Sequence, residues 1–126
     1  MAVPNIAAVA TLQGRVVMQA VTNSAVLVDW NYSGTSTDVE DEHLYKINTI
    51  LISNIDGTNS ADISITISAT SGGTYFHICK TVPVPADSTL SVLDAPLYLP
   101  ENYAMKVEAS ASSDLEAVIS FEDIVD

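Results

Sequence analysis

Hydrophobic and polar positions alternate along most of this chain with a period of two. Residues 61–69 (ADISITISA) give the cleanest case: Ile63, Ile65 and Ile67 fall on one side, Asp62, Ser64, Thr66 and Ser68 on the other. A period of two turns one face to a core and the other to water, which is the pattern of a β-strand. Residues 115–121 (LEAVISF) repeat it, with Leu115, Ala117, Ile119 and Phe121 on one face, ahead of an acidic tail over 122–126. The β-branched segment 44–54 reads as a further strand.

Around these lie other strand-like pieces at 10–21, 24–31, 74–84, 88–93, 96–99 and 103–110. Turn chemistry separates them. Asp56-Gly57 is a strong turn pair, and Ser71-Gly72-Gly73, Pro85-Ala86-Asp87 and Pro100-Glu101-Asn102 supply others. Pro83 ends its strand or confines it to a sheet edge, because proline cannot donate to a ladder. About eight or nine short strands at even spacing predict an all-β, antiparallel β-sandwich of the jelly-roll or Ig-like kind. Parallel units would need intervening helices, and the one helical signal is a capping-box pattern, Thr37-x-x-Glu40, before Leu44 and Ile47.

A length of 126 residues suits a single domain. Residues 10–126 form that sandwich, with residues 1–9 as an N-terminal arm or edge strand. This segment has no basic stretch ahead of its apolar residues and does not read as a secretory signal. No apolar run reaches the length of a membrane-spanning helix.

Charge narrows the partners. Sixteen Asp and Glu stand against four Lys and Arg, for a net charge of −12. Nucleic-acid binding needs clustered cations, and Arg15, Lys46, Lys80 and Lys106 are scattered. Neither nucleic acid nor an anionic membrane is therefore an expected partner. Cys79 is the single cysteine, so no internal disulfide can form.

Four acids in five residues, Asp38, Glu40, Asp41 and Glu42, are the sharpest charged feature. Hard cations seek several carboxylate oxygens, so these residues are weak metal candidates against a solvated loop. They lack EF-hand order. Asp56, Asn59 and Asp62 also collect oxygens, but turns favour those residue types in any case. His77 and Cys79 stand two apart and would share a strand face, yet two ligands are too few for structural zinc. No cofactor is expected. No Gly-x-Ser-x-Gly elbow and no phosphate-binding glycine loop occurs, and the expectation is that the chain is not an enzyme. Trp30, Tyr32 and Tyr45 are interface candidates if exposed, able to stack on a sugar or anchor a partner. Val3, Pro4 and Ile6 are interface candidates on the arm.

The second half has a distinctive cadence. Asn54-Ile-Asp-Gly57 leads to Ile63-Ser-Ile-Thr-Ile67, then Val84-Pro-Ala-Asp-Ser88, Tyr98-Leu-Pro-Glu101, and Ser110-Ala-Ser-Ser-Asp-Leu-Glu-Ala-Val-Ile-Ser120. Over roughly residues 44–122 this resembles small virion structural proteins of tailed, marine-type bacteriophages. The resemblance implies a β-sandwich present in many copies on a particle, assembled in the host cytoplasm. Its partners would be itself, as an oligomer such as a trimer, and other virion proteins such as the major capsid protein. The first expectation is a head decoration, or cement, protein. Alternatives are a neck, tail or baseplate component, or a tail-fibre module that binds host sugar.

Overall fold

A computed structural model describes residues 9–31 and 37–126 of the chain. Nine strands run β1 (Thr11–Val21), β2 (Val26–Leu27), β3 (His43–Asn54), β4 (Ala61–Ser68), β5 (Phe76–Val84), β6 (Thr89–Ser91), β7 (Leu97–Leu99), β8 (Ala104–Ala109) and β9 (Leu115–Val125). No helix occurs among the described residues. The Thr37-x-x-Glu40 pattern therefore does not start one; Asp38 instead forms an isolated antiparallel bridge with Ala104. Capping supplies only a fraction of a helix's stability, and here the neighbouring β8 backbone takes the segment. The acidic end is not a free tail either, because β9 continues to Val125.

The strands form two antiparallel sheets, ordered β1-β9-β3-β6 and β2-β8-β4-β5, with β7 also on β3. Strands β6 and β7 pair with the same side of β3, opposite 51–53 and 45–47, so they are two halves of one interrupted strand. Counted so, the pairing is nested. The β4–β5 hairpin lies within β3–β6/β7, that within β2–β8, and that within β1–β9, with successive pairs alternating between sheets. This is the rolled antiparallel ribbon of a jelly roll, one of the two sandwich types expected.

The core lies where the inner faces meet. Ile63, Ile65, Ile119 and Leu115 are fully buried, with Ala117 and Phe121 beside them at 1% exposure, as their alternation requires. Three register shifts then change the parity elsewhere, one on β3 and two on β5. The β3 register slips between Ile47 and Thr49, so Ile47 and Ile50 both face inward although they are three residues apart. On β5, Thr66 opposes His77 while Ile65 opposes Cys79, so one extra residue, Ile78, sits between two consecutive pairs. His77 and Cys79 therefore lie on opposite faces, which corrects the expectation that they share one. A second slip on β5 places Thr81 at φ 47°, a conformation a β-branched residue rarely adopts, with its N–H donating to Ser64 Oγ at 2.9 Å.

These bulges and Pro83 fall on β5, an outermost strand, as the proline predicts. They break up the row of backbone groups that a foreign strand would need. In the adjoining turn, Gly73 packs so closely that a Cβ there would meet Thr70 Oγ1 at 2.7 Å and Ser68 Oγ at 2.8 Å.

Ile119 sits on the central strand with no exposed surface. Ile119→Ala should cost about 2–5 kcal/mol, from lost burial plus the cavity left behind. Urea unfolding should report it as a lower midpoint at unchanged slope.

Candidate functional site

The densest polar arrangement joins residues far apart in sequence at one end of the sandwich. Strand β1 carries Arg15 inward, where Nη1 donates to Asp123 Oδ2 at 3.0 Å and Nη2 to the Trp30 carbonyl at 3.0 Å. Nη2 also contacts Asn31 Oδ1. The other Asp123 oxygen lies 2.6 Å from His43 Nδ1. His43 Nε2 in turn lies 3.5 Å from Glu40 Oε2, and Asn31 Nδ2 donates to Glu40 Oε1 at 2.7 Å. Asp123 is only 3% exposed. A buried carboxylate is tolerated there because cationic and hydrogen-bonding partners surround it.

Beneath this cluster is an aromatic triad. Trp30 meets Tyr45 and Phe121 edge-on at 5.4 and 5.3 Å between ring centres, and Tyr45 lies 4.8 Å from Phe121. The Arg15 guanidinium sits 5.3 Å over the Phe121 ring, a favourable cation–π placement. Among the described residues the buried Trp30 Nε1 has no hydrogen-bond partner, and the buried Tyr45 hydroxyl has only Arg15 near it. Burial first, then the nearby Asp123 and Glu40 charges, push the Tyr45 phenol up to about 12; Arg15 partly offsets them.

This cluster acts as a clamp. Both His43 nitrogens face carboxylates, Nδ1 that of Asp123 and Nε2 that of Glu40. Together the contacts tie β1, β9, the start of β3 and the 30–31 segment. Gln19 adds a link across the open side of the sandwich, donating to the Leu27 carbonyl at 3.2 Å and accepting from the Asp29 amide at 3.1 Å.

The residues singled out from sequence are placed differently from one another. Trp30 and Tyr45 have no exposed surface, so neither is an interface residue nor a sugar-stacking platform. Their apolar area is worth more in the core than at the surface. Tyr32, Val3, Pro4 and Ile6 lie outside the described residues.

The acidic run does not converge on a point. Glu40 serves His43 and Asn31, and Asp41 is exposed. The Glu42 amide donates to Glu101 Oε2 at 2.9 Å, while the buried Asp38 Oδ1 has no partner among the described residues. Among the described residues, no group of three or more His, Cys, Asp or Glu has an arrangement that could hold a metal ion.

Asp56 accepts from its own turn, from the Thr58 amide at 2.7 Å and the Asn59 amide at 3.2 Å, and these bonds hold its carboxyl below the ordinary range. Buried Asn54 braces the same turn through the carbonyls of Asn59 and Val84. Cys79 packs against the core, and burial pushes its thiol up. A raised thiol is a poor nucleophile.

Two apolar patches were not anticipated. On β1, Leu12 and Met18 are each 61% exposed and Val16 is 47% exposed. Beside Met18 is a shallow depression of about 300 Å³ lined by Ala20, Glu116 and Val118. On the other sheet Phe76 is 70% exposed, next to a hollow of about 260 Å³ formed with Ile67, Ala69 and Tyr103. The missed signal was parity: in β1 the polar Gln13, Arg15 and Gln19 alternate with Leu12, Val16 and Met18.

No protein-family model matches the chain, and no curated protein matches it. Among solved structures it is similar to one described as "Bacillus endospore appendages form a novel family of disulfide-linked pili". The identity is 13%, the TM-score is 0.49, and the match covers 92% of this chain and 88% of that one. So remote a likeness says nothing about what this chain does.

Asp123→Ala should cost about 3–5 kcal/mol by leaving the Arg15 charge without its buried partner. An Arg15→Met, Asp123→Leu double variant should recover most of that loss in thermal unfolding. The raised Tyr45 phenol sets a second expectation. The folded state holds this proton more tightly than the unfolded chain, whose tyrosine titrates near 10. The stability this confers is complete below pH 10 and lost as pH climbs through about 12. It amounts to roughly 2–3 kcal/mol. Tyr45→Phe should flatten that alkaline loss, as followed by urea unfolding at successive pH values.

Proposed function

We propose that this chain is a structural protein of a tailed-phage particle, most specifically a decoration protein that cements the head by bridging neighbouring capsid subunits. One observation carries the reading. Among the large exposed apolar side chains, Leu12, Val16 and Met18 lie together on one sheet and Phe76 on the other, with Ile55 and Tyr98 exposed elsewhere. Contiguous exposed apolar surface marks protein contact sites. A module that bridges must touch neighbours, further copies of itself included, in at least two places, and these patches provide two.

The remaining features agree with that use. The clamp and aromatic triad make a rigid block, which costs little ordering entropy on docking. A charge of −12 favours encounter with basic surfaces of a lattice and keeps the free subunit soluble. Jelly rolls serve both viral capsids and lectins, so the fold alone does not choose between them. The lectin-like alternative relied on exposed Trp30, Tyr32 and Tyr45; Trp30 and Tyr45 are buried, and Tyr32 lies outside the described residues.

Immunogold labelling of the particles that carry this chain tests the proposal. Label spread over the head surface is expected, and the protein should rebind heads stripped of it. Label confined to neck, tail or baseplate would overturn the cement role, and unlabelled particles would overturn the virion reading itself.

A further inference from the structure

We propose that the outer face of the β1–β9–β3 sheet docks against a second copy of this chain. The inference rests on the reading of the protein as a structural module present in many copies on a particle, and it names one partner and one face.

The first observation is an inverted pattern. A surface strand normally turns polar residues to water and apolar ones to the core. In β1 the inward positions Arg15, Val17, Gln19 and Val21 mix polar with apolar residues: Val17 and Val21 are core, and Arg15 and Gln19 are held by hydrogen bonds inside. The outward positions are Leu12, Val16 and Met18. The apolar surface continues across the sheet, because Met18 lies opposite Val118, and Val118 opposite Leu51.

Charge argues for a second copy as the occupant. The chain carries −12, a strong barrier to self-association through most of its surface. The five strands of this sheet hold only three of the sixteen acids, Glu116, Glu122 and Asp123, against Arg15 and Lys46. Three acids less two cations leave −1. Asp123 and Arg15 satisfy each other internally, and Lys46 stands opposite Glu122 in the register. This is the face where two copies can meet with little repulsion. A basic partner would instead seek the acidic rims.

Size and shape agree. At ~3.4 Å per residue and ~4.8 Å between strands, the face, with β6 and β7 included beside β3, spans roughly 35 by 20 Å. A face-to-face pair would bury on the order of 1,400 Å², within the range of specific stable interfaces. The depression beside Met18 holds about 300 Å³, room for an apolar side chain from the facing copy. A two-fold contact needs this kind of self-complementary patch. Strand addition at β5, one of the outermost strands, is obstructed by its two bulges and Pro83.

Sedimentation equilibrium of the full chain in 20 mM and 500 mM NaCl tests the proposal. The expected result is reversible self-association that tightens with salt, as screening relieves the residual repulsion. Leu12→Lys and Met18→Lys should each weaken it at least tenfold while circular dichroism and Tm stay near the parent values. Both side chains are mostly exposed, so folding should tolerate the change. Phe76→Ser, on the other sheet, should leave association unchanged.

A monomer at every salt concentration would overturn the proposal. So would association lost in Phe76→Ser, or on removal of residues 1–8, but retained in Met18→Lys. A strictly monomeric chain that still labels phage heads would sink this interface and leave the cement reading standing. A dimer that labels no particle would do the reverse.

Discussion

The pairing of β1 with β9 is the constraint on which the rest of this molecule depends. It runs without a register break from Thr11↔Val125 to Val21↔Leu115 and joins the two ends of the described chain. A nested jelly roll is closed only when its first and last strands meet, and contacts so distant in sequence carry a large loop-closure cost. The same pairing brings Arg15 to Asp123, and so assembles the clamp over the aromatic triad. It also sets the parity of β1, which sends Leu12, Val16 and Met18 outward.

Clamp and patch are thus two consequences of one alignment. A slip of one residue would exchange the faces of β1. It would put Arg15 and Gln19, with the core residues Val17 and Val21, in water, away from the partners that now satisfy guanidinium and carboxylate, and Leu12, Val16 and Met18 in the interior. The buried ion pair adds little net stability by itself. Its use here is to make the wrong register costly, since a displaced Arg15 would leave Asp123 buried without its cation.

Bulges play the corresponding part in the other strands. The irregularity after Ile47 lets β3 bury Ile47, Ile50 and Ile52 together and turn Leu51 outward toward Val118. On β5 the extra residue at Ile78 separates His77 from Cys79 and spoils the edge for strand addition. Both shifts bear on function, one by extending an apolar face and one by closing a route of uncontrolled assembly.

The fold class was legible in the chain itself, because alternation in 61–68 and 115–121 is a local property and Asp-Gly, Gly-Gly and Pro-containing turns act over a few residues. Pro83 marked its strand as an outer one for the same local reason. The candidate surfaces were not legible. Trp30 and Tyr45 look alike in sequence whether buried or exposed, and only the neighbouring Phe121, 76 residues beyond Tyr45, decides that they are core. Arg15, His43 and Asp123 become a cluster only when β1, β3 and β9 lie side by side. Periodicity determines which residues share a strand face. Which face turns inward depends on register, bulges and long-range pairing, and those are settled only when the whole roll closes.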